Sequence, residues 1–196
     1  MTYFFIHTPK TSGTTFTSVL QRDRNNNVGS FYPPSRELFN FEKDIKNGPA
    51  HNLKLNPNWQ QFNFISGHFT FGIHDILGST NYKYLGVIRE PVSHYISLYK
   101  AYLRMPDQFQ EAIMPTGRTI SDLLDLSYTH NMQTFFLSGL SMKEIAENEN
   151  MAYEKAMENM EKYFVGIYPT DRFDEGLFLF KHLIGTSPKY YRKRNV

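Results

Sequence analysis

Cysteine is absent from all 196 residues of this chain. Disulfides, thiolate nucleophiles and cysteine-based zinc sites are therefore excluded, and the composition suits a reducing compartment. No uncharged apolar stretch approaches the roughly 18 residues that a membrane-spanning helix needs. The start also lacks the basic n-region and long apolar h-region of a secretory signal. The expectation is a soluble, cytoplasmic chain, unless it was trimmed of a membrane anchor. No sustained basic run precedes the terminal stretch YYRKRNV, and the formal net charge is only +2. That is too little to drive nonspecific nucleic-acid binding, so any basic function has to come from placement. No His/Asp/Glu spacing argues for a metal site. Neither an internal repeat nor a low-complexity linker divides the chain.

What is present is a globular composition, with 40% hydrophobic and 16% aromatic residues. A chain of this length forms one domain and buries about 70% of the surface that its unfolded form exposes. We expect a single domain over residues 1–196 with an irregular insertion at about 25–58, where NNN, YPPS, NGP and NPN are turn-rich. A short helix near RELFNFEKDI is the only regular element expected there. YFFIH from Tyr3, FNFIS from Phe62, YLGVI from Tyr84 and FVGIY from Phe164 read as buried strands. Helices are expected after the first strand, in PVSHYISLYKAYLR with proline at its first position, around SDLLDL and NMQTFFL, through MKEIAENENMAYEKAMENMEKY, and in DRFDEGLFLFKHLIG. Strands alternating with helices predict an α/β fold, a central parallel sheet flanked by helices.

In such folds ligands bind beyond the carboxyl ends of the strands. The stretch HTPKTSGTTF lies at one of those ends. Backbone amides of a tight glycine-containing loop at a helix N-terminus form an anion cradle, and Lys10 adds a full charge to the partial one of the helix dipole. The plain alternative is that Ser12 and Gly13 form a turn and Thr14 caps a helix. A Walker A loop is not present: it requires lysine after its second glycine, whereas Lys10 precedes Gly13, the loop's only glycine.

A second stretch, VIREPVSHYISLYKAY, sets Arg89 at a strand end and Ser97 eight residues later, about two helical turns on. Together the two stretches resemble the PAPS-dependent sulfotransferases, in the branch that holds the heparan sulfate 2-O- and 6-O-sulfotransferases and bacterial relatives. The family's P-K-[TS]-[GAS]-G-T-[ST] loop is matched by Pro9 to Thr15, and its R-[DE]-P-x-x-[RH]-x-x-S motif by Arg89 to Ser97. Lesser likenesses run through SGHFTFG, NMQTFFLSG and FVGIYPTDRFDEGL. Glu90 stands where the family more often has aspartate, and His94 where it more often has arginine.

The resemblance implies a P-loop-like sulfotransferase fold and PAPS as sulfuryl donor, with PAP as product and no metal. It implies that Lys10, Thr11, Ser12, Gly13, Thr14 and Thr15 hold the 5′-phosphosulfate, and that Arg89 and Ser97 hold the 3′-phosphate. Arg192 and Arg194 would close over that phosphate, as basic C-terminal segments do in the family; a solvated tail is the alternative. His68, in GHF after a strand, matches the position of the base in the 2-O-sulfotransferases, and Lys10 is the second catalytic candidate. A structural histidine bonded to backbone is the alternative for His68. The acceptor implied is a hydroxyl, of a carbohydrate or a carbohydrate-containing metabolite. His7 reads as a buried histidine, His74 and Asp75 as a helix start or an acceptor wall, and His94 as a contact to nucleotide or acceptor. A nucleotide-dependent kinase and a noncatalytic nucleotide- or partner-binding module remain alternatives. Acceptor choice is expected in the loops at 25–58 and 107–119.

Overall fold

The apolar run near the N-terminus forms β1 (Thr2–Ile6), and its register places it at the centre of the sheet. The computed structural model of the chain describes residues 1–32, 58–105, 118–126 and 129–185. The other strands are β2 (Val28–Phe31), β3 (Phe64–Gly67), β4 (Tyr82–Ile88) and β5 (Phe164–Pro169). All pairings are parallel and the order is β2-β3-β1-β4-β5. The α/β architecture with a central parallel sheet flanked by helices is thus the one expected.

Both faces of a parallel sheet are covered, so its strands are apolar on alternate and intervening positions alike. On one face Phe5, Phe64, Leu85 and Val87 pack against Phe16, Val19 and Leu20 of α1 (Gly13–Arg22) and against Phe173, Leu177 and Phe180 of α8 (Phe173–Ile184). On the other, Phe4, Ile6, Ile65 and Tyr84 meet six helices. These are α2 (Ile73–Leu77), α3 (Pro91–Tyr102), α4 (Ile120–Leu124), α5 (Met132–Ser138), α6 (Met142–Glu147) and α7 (Glu149–Tyr163). Phe16 is buried with its ring 4.4 Å from that of Phe5, and burying one such side chain contributes about 1.5–3 kcal/mol.

The chain leaves β1 for a helix on one face and leaves the adjacent β4 for a helix on the opposite face. A crevice opens between the two exits, the place where open α/β sheets bind ligands.

One expectation is corrected. The segment at 25–58 is not wholly irregular, because Val28–Phe31 pairs in parallel with Phe64–Gly67 as the edge strand β2. The helix expected near RELFNFEKDI, most of the loop at 107–119, and the tail with Arg192 and Arg194 lie outside the described residues. Among the described residues no helix is long and apolar enough to cross a membrane.

Candidate functional site

The loop after β1 spends four of its carbonyls on bonds within the protein. The Thr11 hydroxyl donates to the Thr8 carbonyl at 2.8 Å, Nε2 of His94 to the Pro9 carbonyl at 2.8 Å, and the Arg89 guanidinium to the Lys10 carbonyl at 3.1 Å. The Ser12 carbonyl takes the amides of Thr15 and Phe16. Lys10 and the amides at the start of α1 are donors turned to the same loop. Lys10 and Ser12 lie in the left-handed region, at φ 65° and 66°, and a non-glycine residue there costs of order 1–3 kcal/mol and persists only where its surroundings enforce it. Ser12 gives no side-chain cap to α1, and among the described residues the first-turn amides of Gly13 and Thr14 have no backbone acceptor. Gly13 is required by contact: a Cβ there would stand 1.9 Å from Cδ2 of His7.

Lys10, Ser12, Gly13, Thr14 and Thr15 line a pocket of about 170 Å³, together with Arg89, Ser97 and both His7 and His68. Among the described residues its lining contains no carboxylate. Lys10 is held below its ordinary value of 10.5 by burial first, then by the charges of Arg104 and Arg89. Among the described residues none of these three cations is in an ion pair. Like charges gathered without a counterion are stabilised by a bound anion.

Arg89 is fixed from α5: its amide donates to Oε1 of Gln133 at 2.7 Å and its carbonyl accepts from Nε2 of Gln133 at 2.8 Å. Behind it Glu90 caps α3 by accepting from the amides of Val92 and Ser93. These amides, Ser93 foremost, hold its carboxyl below the usual value.

His68 follows β3. Its Nδ1 lies 2.5 Å from the carbonyl of His7, and a carbonyl only accepts, so the neutral ring carries its proton on Nδ1 and presents a bare Nε2. Burial pushes this imidazole from 6.5 down to about 4. His7 is buried too, and burial, followed by the charges of His68 and Lys10, holds it well below the ordinary value. The two rings are 4.6 Å apart, and Tyr32, just past β2, meets His68 edge-on at 4.8 Å.

The structure thus brings Lys10, Ser12, Gly13, Thr14, Thr15, His68, Arg89 and Ser97 to one pocket. Three expectations change. Thr11 is buried and its hydroxyl turned back to Thr8, so it builds the loop and does not line the pocket. His94 is buried with Nε2 spent on the Pro9 carbonyl, so it shapes the loop from beneath. His74 sits in an aromatic cluster, stacked 3.9 Å from Tyr82 and bonded through Nδ1 to the Tyr84 hydroxyl, rather than on an acceptor wall.

Tyr32, Gln133 and Arg104 are additions that the sequence reading did not contain. A positional signal exists for one of them. His7, Tyr32, His68 and Arg89 are each the first residue after a strand, and in a parallel sheet those positions converge.

No protein-family model matches this sequence, and no curated protein matches it either.

Proposed function

We propose that this chain is a PAPS-dependent sulfotransferase that sulfates a hydroxyl of a carbohydrate or carbohydrate-containing metabolite. The observation that carries the reading is that Lys10 and Arg89, which form no ion pair among the described residues, and the bare Nε2 of a neutral histidine open onto one pocket. PAPS supplies the sulfuryl group and leaves as PAP. On this chain, Lys10 and the first-turn amides of α1 bind and neutralise the 5′ end, where charge grows as the bond to sulfur breaks. Arg89 and Ser97 hold the 3′-phosphate, and Nε2 of His68 accepts the proton of the acceptor hydroxyl. A pocket of about 170 Å³ is below the roughly 300–1,000 Å³ that encloses a drug-sized ligand. It takes the anionic groups and leaves the nucleoside on its rim.

The test compares PAP, AMP and ATP with magnesium by thermal shift. PAP is expected to stabilise the protein strongly, by about 2.7 kcal/mol at 100 times its dissociation constant, with AMP doing little. Equal shifts from PAP and AMP overturn the reading, and a larger shift from ATP with magnesium favours a kinase. PAP binding without PAPS consumption across a panel of oligosaccharides and phenols would identify a noncatalytic module.

A further inference from the structure

We infer that His7 is a second working imidazole of the pocket, of opposite tautomer to His68, whose Nε2–H donates to an oxygen of the bound anion while Tyr32 positions it. The inference deepens the reading above and depends on it only for the identity of the anion.

Three observations lead there. First, Nδ1 of His7 is 2.9 Å from the hydroxyl of Tyr32, which is 3.4 Å from the hydroxyl of Ser66. The ring nitrogen is the nearer and better acceptor, and Ser66 already has Thr17 at 2.7 Å. The phenol therefore donates to Nδ1, and the single proton of the neutral ring sits on Nε2. Second, Nε2 of His7 has no partner among the described residues, yet among them Oδ1 of Asn159 is the one fully buried side-chain polar atom left unbonded. Nε2 of His7 therefore keeps contact with the open pocket that the residue lines. Third, Nε2 lies 2.4 Å from where a Cβ of Gly13 would be, beside the first turn of α1. An anion seated on that turn is within its reach.

The pocket then holds two neutral imidazoles with divided roles. His68 offers a lone pair, which a hydroxyl proton needs. His7 offers an N–H, which an anionic oxygen needs. A neutral donor adds affinity for the anion without a fourth positive charge beside Lys10, Arg89 and Arg104.

The experiment is a two-bond proton–nitrogen correlation spectrum of the ¹⁵N-histidine-labelled protein at neutral pH, the two rings being assigned with single His→Gln variants. His68 should show the Nδ1–H pattern and His7 the Nε2–H pattern. Tyr32→Phe should return His7 to a mixture of tautomers and leave His68 unchanged. Adding inorganic sulfate should move the Nε2–H proton of His7. A His7 proton on Nδ1, or a His7 signal unmoved while the Gly13 and Thr14 amides shift, overturns the inference. His7→Gln, whose amide can donate from the same place, should keep sulfate affinity within about twofold, whereas His7→Met should lose about tenfold; equal affinities in both would also overturn it. If either variant fails to fold, the wild-type spectrum still decides. None of these readouts uses PAPS, so equal binding of PAP and AMP would remove the sulfotransferase reading while leaving the assignment of His7 intact.

Discussion

Arg89 and Lys10 carry like charges, yet the guanidinium of the first donates to the main-chain carbonyl of the second at 3.1 Å. The contact joins the end of β4 to the loop after β1 and sets two cations against each other at the mouth of the crevice. Loop shape and the proposed anion site therefore share one side chain.

Arg89→Ala should abolish the preference for PAP over AMP, because truncating a charge-assisted contact costs on the order of 1.5–3 kcal/mol. Titration calorimetry with both ligands measures the difference. A variant that still discriminates would move the 3′-phosphate elsewhere.

Gly13→Ala sets two effects against each other. Alanine ordinarily stabilises a helical position over glycine by about 0.5–1 kcal/mol. Here the new methyl would meet the His7 ring at 1.9 Å, and overpacking costs typically 1–3 kcal/mol. The melting temperature should fall. In a His7→Ala background the same substitution should be neutral or stabilising, and a fall of equal size in both backgrounds would show that the ring is not the obstacle.

Arg104→Ala should raise the titration point of Lys10, since Arg104 is the larger of the two charges that depress it after burial. NMR titration of ¹³C-methylated lysines reads this directly; no movement would leave burial as the whole cause. Lys10→Ala should lower turnover by more than it lowers PAP affinity, because the charge it faces is largest in the transition state.

Stability should decline in acid with a defined sign. His68 binds its proton near pH 4 in the folded chain, against 6.5 for the ordinary group, and His7 and His94 are lowered in the same sense, chiefly by burial. Between the two values the unfolded chain carries more protons, so stability is full above about pH 7 and is lost as pH falls through 6.5 toward 4. Denaturant midpoints across that range should follow this course, and His68→Gln should flatten it. Flat wild-type midpoints would contradict the burial of these rings.

The rate of a single turnover should behave differently from that of an enzyme with an unperturbed histidine base. It should hold level from neutral pH down to about 5 and drop near 4, where His68 becomes protonated. His68→Ala should lower the rate by about 10²- to 10⁴-fold with PAP affinity kept. A fall centred near 6.5, or a fully active variant, would assign the base to another group.

The order of strands and helices is legible because it rests on local signals. Phe4, Phe5 and Ile6 in one run, Leu85 to Ile88 in another, and Pro91 at the first position of α3 each announce an element within a few residues. β2 is not legible in this way: Val-Gly-Ser-Phe is four residues in a stretch dominated by Asn, Pro and Gly, and only its pairing with Phe64 to Gly67 makes it a strand. The same division runs through the site. Lys10, Gly13 and Arg89 are visible as loop motifs, whereas the turning of His94 onto Pro9 and of Gln133 onto Arg89 joins residues far apart in sequence. No spacing rule reaches across such distances. Thr11 and Thr14 are the same residue type three positions apart, and only the fold separates the one whose hydroxyl turns inward from the one that lines the pocket.

The central place of β1 has a consequence for how the protein is made. Synthesis releases the N-terminal end first, so this strand emerges long before its neighbours: Tyr3 pairs with Phe64 on one side and Lys83 on the other. Until both are released, an apolar ribbon waits without hydrogen-bonding partners. The loop that follows it waits longer, because Arg89 and His94, which tie down the Lys10 and Pro9 carbonyls, come later still. A nascent chain halted before Arg89 therefore has the loop sequence but not the side chains that hold its shape, and the pocket, which Ser97 of α3 also lines, can be completed only after α3 has been made.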